Sequence, residues 1–292
     1  MGSVEMNDDR SGALVEALAQ PRFELIPMEG AIEWAAHLPE GAKVTITCSP
    51  TQGIESTLLF GAQLLERGFR VVPHIAARLV ADRAHLEEIV RRLNDLKVRE
   101  VFVIGGDARK PAGPFSGAFE LLCAMADLGH DFERIGVGGY PEGHPIIDDE
   151  TLRRALLDKR PFATYIVSQL CFDPGTILAW VADIRQRGIG LPVYVGLPGV
   201  VERKKLLQIS LKIGVGDSAR FLTKHTNLVT RFLKPGGYSP DELVKELAPY
   251  VGDQDYNIAG FHIYTFNQVD TTEKWRRKTL GLERADSAVS TP

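Results

Sequence analysis

Cysteine is scarce in this chain: Cys48, Cys123 and Cys171 are the only three in 292 residues, and no two of them form a C-x-x-C pair. That spacing excludes a paired-cysteine zinc site or redox couple, and three thiols in apolar segments read as buried and free in a reducing compartment. An excess of either charge is also missing, with 34 basic against 38 acidic residues and a net charge of −4. Without a basic stripe interleaved with aromatics, nucleic acid is not an expected partner. No apolar run approaches a membrane span, so a membrane is not an expected partner either. The opening stretch "MGSVEMNDDRSG" lacks the basic-then-apolar order of a signal peptide, and Met6 stands where a myristoylation motif needs Ser or Thr. A cytoplasmic protein is expected, with a frayed N-terminus over residues 1–20 and a disordered tail over residues 283–292. Its oligomeric state is not legible.

What is present is enough apolar material for a large core, 44% of the residues, at an ordinary 25% charged content. Eight short apolar, β-branched or aromatic segments bounded by turn residues read as buried strands: Phe23–Met28, Lys43–Ser49, Arg70–Ala76, Glu100–Gly106, Arg134–Pro141, Thr164–Leu170, Pro192–Gly199 and Ile258–Asn267. Helical patterns separate them, as in "ADRAHLEEIVRRLNDL", where Leu86, Ile89, Val90 and Leu93 recur at helical steps. Strands apolar on both faces and alternating with helices make a parallel sheet. Eight in one composition regime predict an α/β chain folded as a single (β/α)8 TIM barrel over residues 21–282, with an open doubly wound sheet as runner-up. The helical patterns "VERKKLLQISLKIG" and "SARFLTKHTNLVTRFLK" between the last two strands read as an insertion.

In a barrel the C-terminal strand ends build the active site. Reading those ends gives Glu24 in "FELIP", Thr47 in "TITCSP", His74 in "VVPHIAAR", Asp107 after Gly105 and Gly106 in "FVIGGDARK", Tyr140, Glu142 and His144 in "GYPEGHP", Gln169 in "IVSQLCFD", and Tyr264 and Asn267 in "FHIYTFNQ". A carboxylate inside a short apolar strand has to be paired, protonated or functional, which singles out Glu24. Asp107 serves equally well as a turn residue or helix cap. Gln169 in an apolar strand needs hydrogen-bond partners, which a heterocyclic ligand edge or the backbone can supply. His74 and His144 lie in neither an H-x-H nor an H-E-x-x-H spacing, so no metal is expected. The "GVGG" before Tyr140 runs into a proline loop and not a helix, so it is no dinucleotide fingerprint. "GVGDSARF" reads as a loop and helix cap before a phosphate site.

The order "FELIP", "TITCS", "VVPHIAAR", "VFVIGGDARKPAG", "GVGGYPEGHP", "ATYIVSQLCFD", "VYVGLPG" and "GFHIYTFNQ", spanning Phe23 to Asn267, resembles the methylenetetrahydrofolate reductase family. The resemblance implies a TIM barrel that reduces methylenetetrahydrofolate to methyltetrahydrofolate with a nicotinamide nucleotide, NADH before NADPH. It makes Glu24 the acid that opens the methylene bridge and Asp107 the carboxylate that steadies the resulting cation. It sets Thr47, Gln169, Tyr264 and Gln268 against the folate, and His74, Gly105, Gly106, Tyr140, Glu142 and His144 along the cofactor groove. The departures bear on FAD. Gly105 stands where most members carry arginine, only Lys159 and Arg160 remain as cations before strand six, and "VERKKLLQISLKIG" holds no aromatic ring. Gln268 also replaces an arginine associated with the folate tail. The reading that follows is weak or absent FAD and direct hydride transfer. The alternatives are the same reaction through bound FAD, a folate-binding barrel serving a methyltransferase, and a metal-dependent hydrolase.

Overall fold

A computed structural model describes residues 8–144, 146–201 and 238–282. Eight strands form a closed barrel in chain order, every neighbouring pair parallel: β1 (Arg22–Leu25), β2 (Lys43–Ile46), β3 (Arg70–Ala76), β4 (Glu100–Ile104), β5 (Arg134–Gly139), β6 (Tyr165–Ser168), β7 (Val193–Pro198) and β8 (Ile258–Tyr264). The open-sheet alternative is thereby set aside, since β1 pairs with both β2 and β8.

Helices α1 (Asp8–Ala19), α2 (Ala31–Ala35), α3 (Gly53–Glu66), α4 (Arg83–Asp95), α5 (Ala118–Leu128), α6 (Asp149–Lys159), α7 (Pro174–Gln186), α8 (Asp241–Leu247) and α9 (Val269–Thr279) accompany the strands. The anticipated stripe of α4 is buried at all four positions, and Asp82 caps the helix by accepting from the His85 backbone N–H. Asp148 and Asp173 cap α6 and α7 in the same way.

Residues 1–20 are not frayed throughout, because Asp8–Ala19 is helical, with Ala17 and Leu18 buried. Ala13, Leu14, Ala17 and Leu18 make an apolar stripe at helical spacing, and Arg276 donates to the Leu18 carbonyl at 2.9 Å. The tail 283–292, the two helical patterns between β7 and Tyr238, and "GVGDSARF" lie outside the described residues.

Alternation places the core. Phe23, Leu25, Val44 and Ile46 point outward into the main apolar layer under the helices, so Arg22, Glu24 and Thr45 point into the barrel. Most strands stop short of the expected C-terminal boundary. The residues beyond the ladder, such as Thr47, Gly105, Tyr140 and Gln169, are free to line the mouth.

Candidate active site

Glu24 projects into the barrel from β1, and its backbone is fixed from the far side of the seam. Thr265 donates its hydroxyl to the Glu24 carbonyl at 2.6 Å, and Asn267 exchanges hydrogen bonds with both backbone groups of Ile26, at 2.9 and 3.0 Å. Asn267 sits at a φ of +60°, a conformation that asparagine tolerates better than most residues. It therefore locks the loop after β1 to the end of β8.

Two imidazoles flank the Glu24 carboxyl. His262 Nε2 on β8 lies 3.1 Å from Oε2, and His74 Nε2 on β3 lies 3.8 Å from the same oxygen. Both rings are buried, and His74 packs at 4.8 Å from Phe102. Burial pushes the Glu24 pKa up to about 7, partly offset by His74. The same dehydration lowers His74 to about 4 and His262 to about 3. At neutral pH the cluster is therefore a carboxyl poised between its two forms beside two neutral imidazoles. His262 Nδ1 is buried without a partner. A bare lone pair there costs less than an orphaned N–H, so the proton belongs on Nε2, which donates to Glu24.

Tyr264, two residues along β8 from His262, closes the mouth above this acid. Its hydroxyl donates to the Ser168 carbonyl at 3.0 Å, and burial, then the charges of Glu24 and Tyr140, hold it well above the ordinary tyrosine value. Leu170, Phe172, Val201 and Tyr238 form a buried apolar cluster against Tyr264 and Phe266 on this side of the mouth.

Opposite lies the loop after β4. Gly106 has a φ of +88°, and a Cβ there would stand 2.9 Å from that of Ala76, so only glycine fits. Gly105, in contrast, has open space where a side chain would begin. Asp107 is exposed, and the next helix is entered at Gly117, so Asp107 does not serve as that helix's cap. Its charge reaches Tyr140, reinforcing the upward shift that burial imposes on the phenol, and His144, whose burial lowers its pKa against the pull of Asp107. Tyr140 and His144 meet edge to face at 5.5 Å. Arg78 holds this loop in place by donating to the carbonyls of Ala108 at 2.6 Å, Arg109 at 2.7 Å and Ser116 at 3.0 Å.

The two most specific motifs meet at Glu142. Burial and the nearby Asp173 raise its carboxyl to about 7, with the Cys171 thiol pulling the other way. Gln169 is not inside the strand. It is exposed just beyond β6, where its side-chain oxygen accepts from the Leu170 N–H at 2.8 Å and its own N–H donates to Gly139 at 2.7 Å. β6 ends at Ser168 because that residue turns to hold the β7 backbone, its hydroxyl accepting from the Gly196 N–H. Thr47 lies just past β2, half-buried, with its backbone bonded to Leu25 and Thr57. Gln268 stands at the start of α9, where its carbonyl accepts from Thr272 N–H and Thr271 hydroxyl.

Glu24, His74 and Tyr264 thus converge within the barrel, and Asp107, Tyr140 and His144 converge on its rim. Sequence reasoning missed His262, Thr265 and Arg78. The alternation of β8 carries a signal for His262, which shares a face with Tyr264. Nothing local marks Arg78, whose partners lie some thirty residues away. Among the described residues, no group of three or more His, Cys, Asp or Glu side chains is arranged to hold a metal ion, and no helix is long and apolar enough to cross a membrane.

A closed parallel barrel with a near-neutral acid at its C-terminal mouth has the site where barrel enzymes keep theirs. The sequence profile of the family "Methylenetetrahydrofolate reductase" matches residues 31–216, and the chain belongs to that family. It is 28% identical over 120 residues to "Methylenetetrahydrofolate reductase 1" of Schizosaccharomyces pombe, a match covering 38% of this chain and 20% of the relative. With "Methylenetetrahydrofolate reductase (NADH) 1" of Arabidopsis thaliana it shares 30% over 188 residues, 58% of this chain and 30% of the relative. With "Methylenetetrahydrofolate reductase 2" of Saccharomyces cerevisiae it shares 24% over 165 residues, 53% and 26%. The matched region spans less than a third of the length of each of these relatives.

Proposed function

We propose that this chain reduces methylenetetrahydrofolate to methyltetrahydrofolate, taking hydride directly from a reduced nicotinamide nucleotide, NADH in the first instance. The observation that carries the reading is Glu24: a buried carboxyl raised to about 7 at the mouth of a barrel belonging to this family. Opening the methylene bridge requires a proton on a weakly basic aryl nitrogen, and an acid half-protonated near neutrality supplies it best. Asp107 on the rim carries the complementary charge for the iminium cation that results. The apolar cluster around Tyr264 and Phe266 offers a dry wall for a planar heterocycle.

The family resemblance implies FAD; what supports weak or absent FAD is that cations expected to meet its diphosphate are missing or engaged elsewhere. Gly105 brings no side chain to the groove, and Arg78 spends its guanidinium on three carbonyls. Arg160 turns away to the Gly188 carbonyl, and Lys159 is buried with its amine 3.5 Å from the Gly138 carbonyl. His74, assigned to the cofactor groove, sits beside the acid inside the barrel. The helical segment without an aromatic ring lies outside the described residues beyond Val201. A cytoplasmic location and a small-molecule folate as the partner belong to this same reading.

The test is the visible spectrum of freshly purified protein followed by anaerobic NADH oxidation with methylenetetrahydrofolate and no added flavin. A colourless protein that turns over is expected. Stoichiometric flavin would replace direct transfer with the flavin route, and a colourless protein that binds folate without turnover would make it a folate-binding barrel.

A further inference from the structure

The opposite end of the barrel carries charge that the proposed chemistry does not use. The first residues of β1, β2, β3, β4 and β5 are Arg22, Lys43, Arg70, Glu100 and Arg134. Arg70 turns to the Gly41 carbonyl, but the other three cations gather on the single carboxylate of Glu100. Arg22 Nη1 lies 2.6 Å from Oε1, Lys43 Nζ 2.6 Å from Oε2, and Arg134 Nε 3.7 Å from Oε1. One negative charge thus answers three positive ones, in a place where the Arg22 side chain is 2% exposed and that of Lys43 is 18% exposed.

Arginine does not shed its proton in a protein, so the excess persists at any physiological pH. Tyr165 and Tyr194 offset part of it with their ring faces, 4.2 and 4.1 Å from the Arg22 guanidinium, and with their hydroxyls, which accept from Arg22 at 3.3 Å and Arg134 at 3.1 Å. Two donors are poorly used: Nε and Nη2 of Arg22 are buried with no well-aligned acceptor, the Tyr194 hydroxyl being their nearest candidate. A dehydrated guanidinium with poorly used N–H groups beside a lysine and a second arginine is an oxyanion or halide receptor by its chemistry. Burial, then the charge of Arg22, lowers the Lys43 pKa, as expected of an amine in an uncompensated cationic site.

The geometry points to a small inorganic anion bound at the N-terminal end of the barrel between Arg22, Lys43 and Arg134. It enters past Arg134, whose side chain is 39% exposed. It acts as a structural counter-ion one layer below the Glu24–His262 pair, Arg22 being the register partner of His262, and it holds whether or not the chain reduces folate.

The full chain is melted in rising chloride or phosphate, with ionic strength held constant by gluconate as the comparison anion. A ligand that binds only the folded state raises the melting temperature with its logarithmic concentration, by about 5 °C at about a hundredfold excess over its dissociation constant. Arg134→Gln leaves the Arg22–Glu100 and Lys43–Glu100 pairs in place and is expected to lose at least half of that shift. Chloride line broadening in NMR, read on the folded parent, is expected to be reversed by phosphate, which shows one site taking either ion. A common slope in parent and variant, or no broadening that phosphate reverses, overturns the proposal. So does a tyrosinate absorbance at neutral pH that is insensitive to anions, since Tyr194 would then supply the missing charge itself.

Discussion

His262 Nε2 stands 3.1 Å from the Glu24 carboxyl, across the seam where β8 closes the barrel on β1. One residue thus carries the candidate proton, and another, 238 positions later, orients it. Replacing Glu24 with glutamine keeps the shape and removes the proton. Turnover is expected to fall by about 100-fold or more while folate affinity holds, because the acid acts in the transition state. Single-turnover kinetics beside a folate-binding titration would check both halves.

The acid form of Glu24 predominates below its pKa of about 7, so folate reduction is expected to decline as pH rises through that value. The stability sign runs the same way. A folded pKa above the ordinary 4.5 means that the folded chain holds the extra proton between 4.5 and about 7, so the contribution of Glu24 to stability falls as pH rises across that window. The Glu24→Gln variant lacks this loss, and its stability relative to the parent should improve over the same range. Urea midpoints measured at several pH values would show it.

His262→Phe removes a donor to the ionised carboxyl in an already dry site. The Glu24 pKa should rise further, moving the alkaline limb of the rate profile to higher pH. A limb moved to lower pH would place the imidazole proton on Nδ1 instead, with Nε2 accepting from the protonated carboxyl.

Asp107→Asn is expected to weaken folate binding on the order of tenfold, the scale of one charge-assisted contact, and to lower turnover as well. Unchanged kinetics would return Asp107 to the role of a turn residue.

Arg78 touches only backbone carbonyls, yet it shapes the loop that presents Asp107. Arg78→Ala should cost about 2 kcal/mol of stability and weaken folate binding. The Glu24 limb of the pH profile should stay where it is, since the two lie on different elements. Chemical denaturation and the rate profile together test this.

The barrel, and the placement of most candidate residues at its mouth, were legible in the sequence because both rest on local signals. Alternating apolar segments of strand length, separated by helical stripes, carry the architecture. Polar residues at the C-terminal end of each segment carry the mouth, so Glu24, Asp107, Tyr140 and Tyr264 could be read without coordinates. The N-terminal helix was missed: Ala13, Leu14, Ala17 and Leu18 carry a helical stripe, but the polar residues around it obscured it.

What only the tertiary structure decided depends on distances between residues far apart in the chain. Closure of β8 on β1 put His262 beside Glu24, and the electrostatics of that pair follow from burial that no single strand specifies. Arg78 found three carbonyls on another loop, and Glu100 gathered cations from three other strands. Sequence periodicity shows which way a side chain points, but not what it meets there.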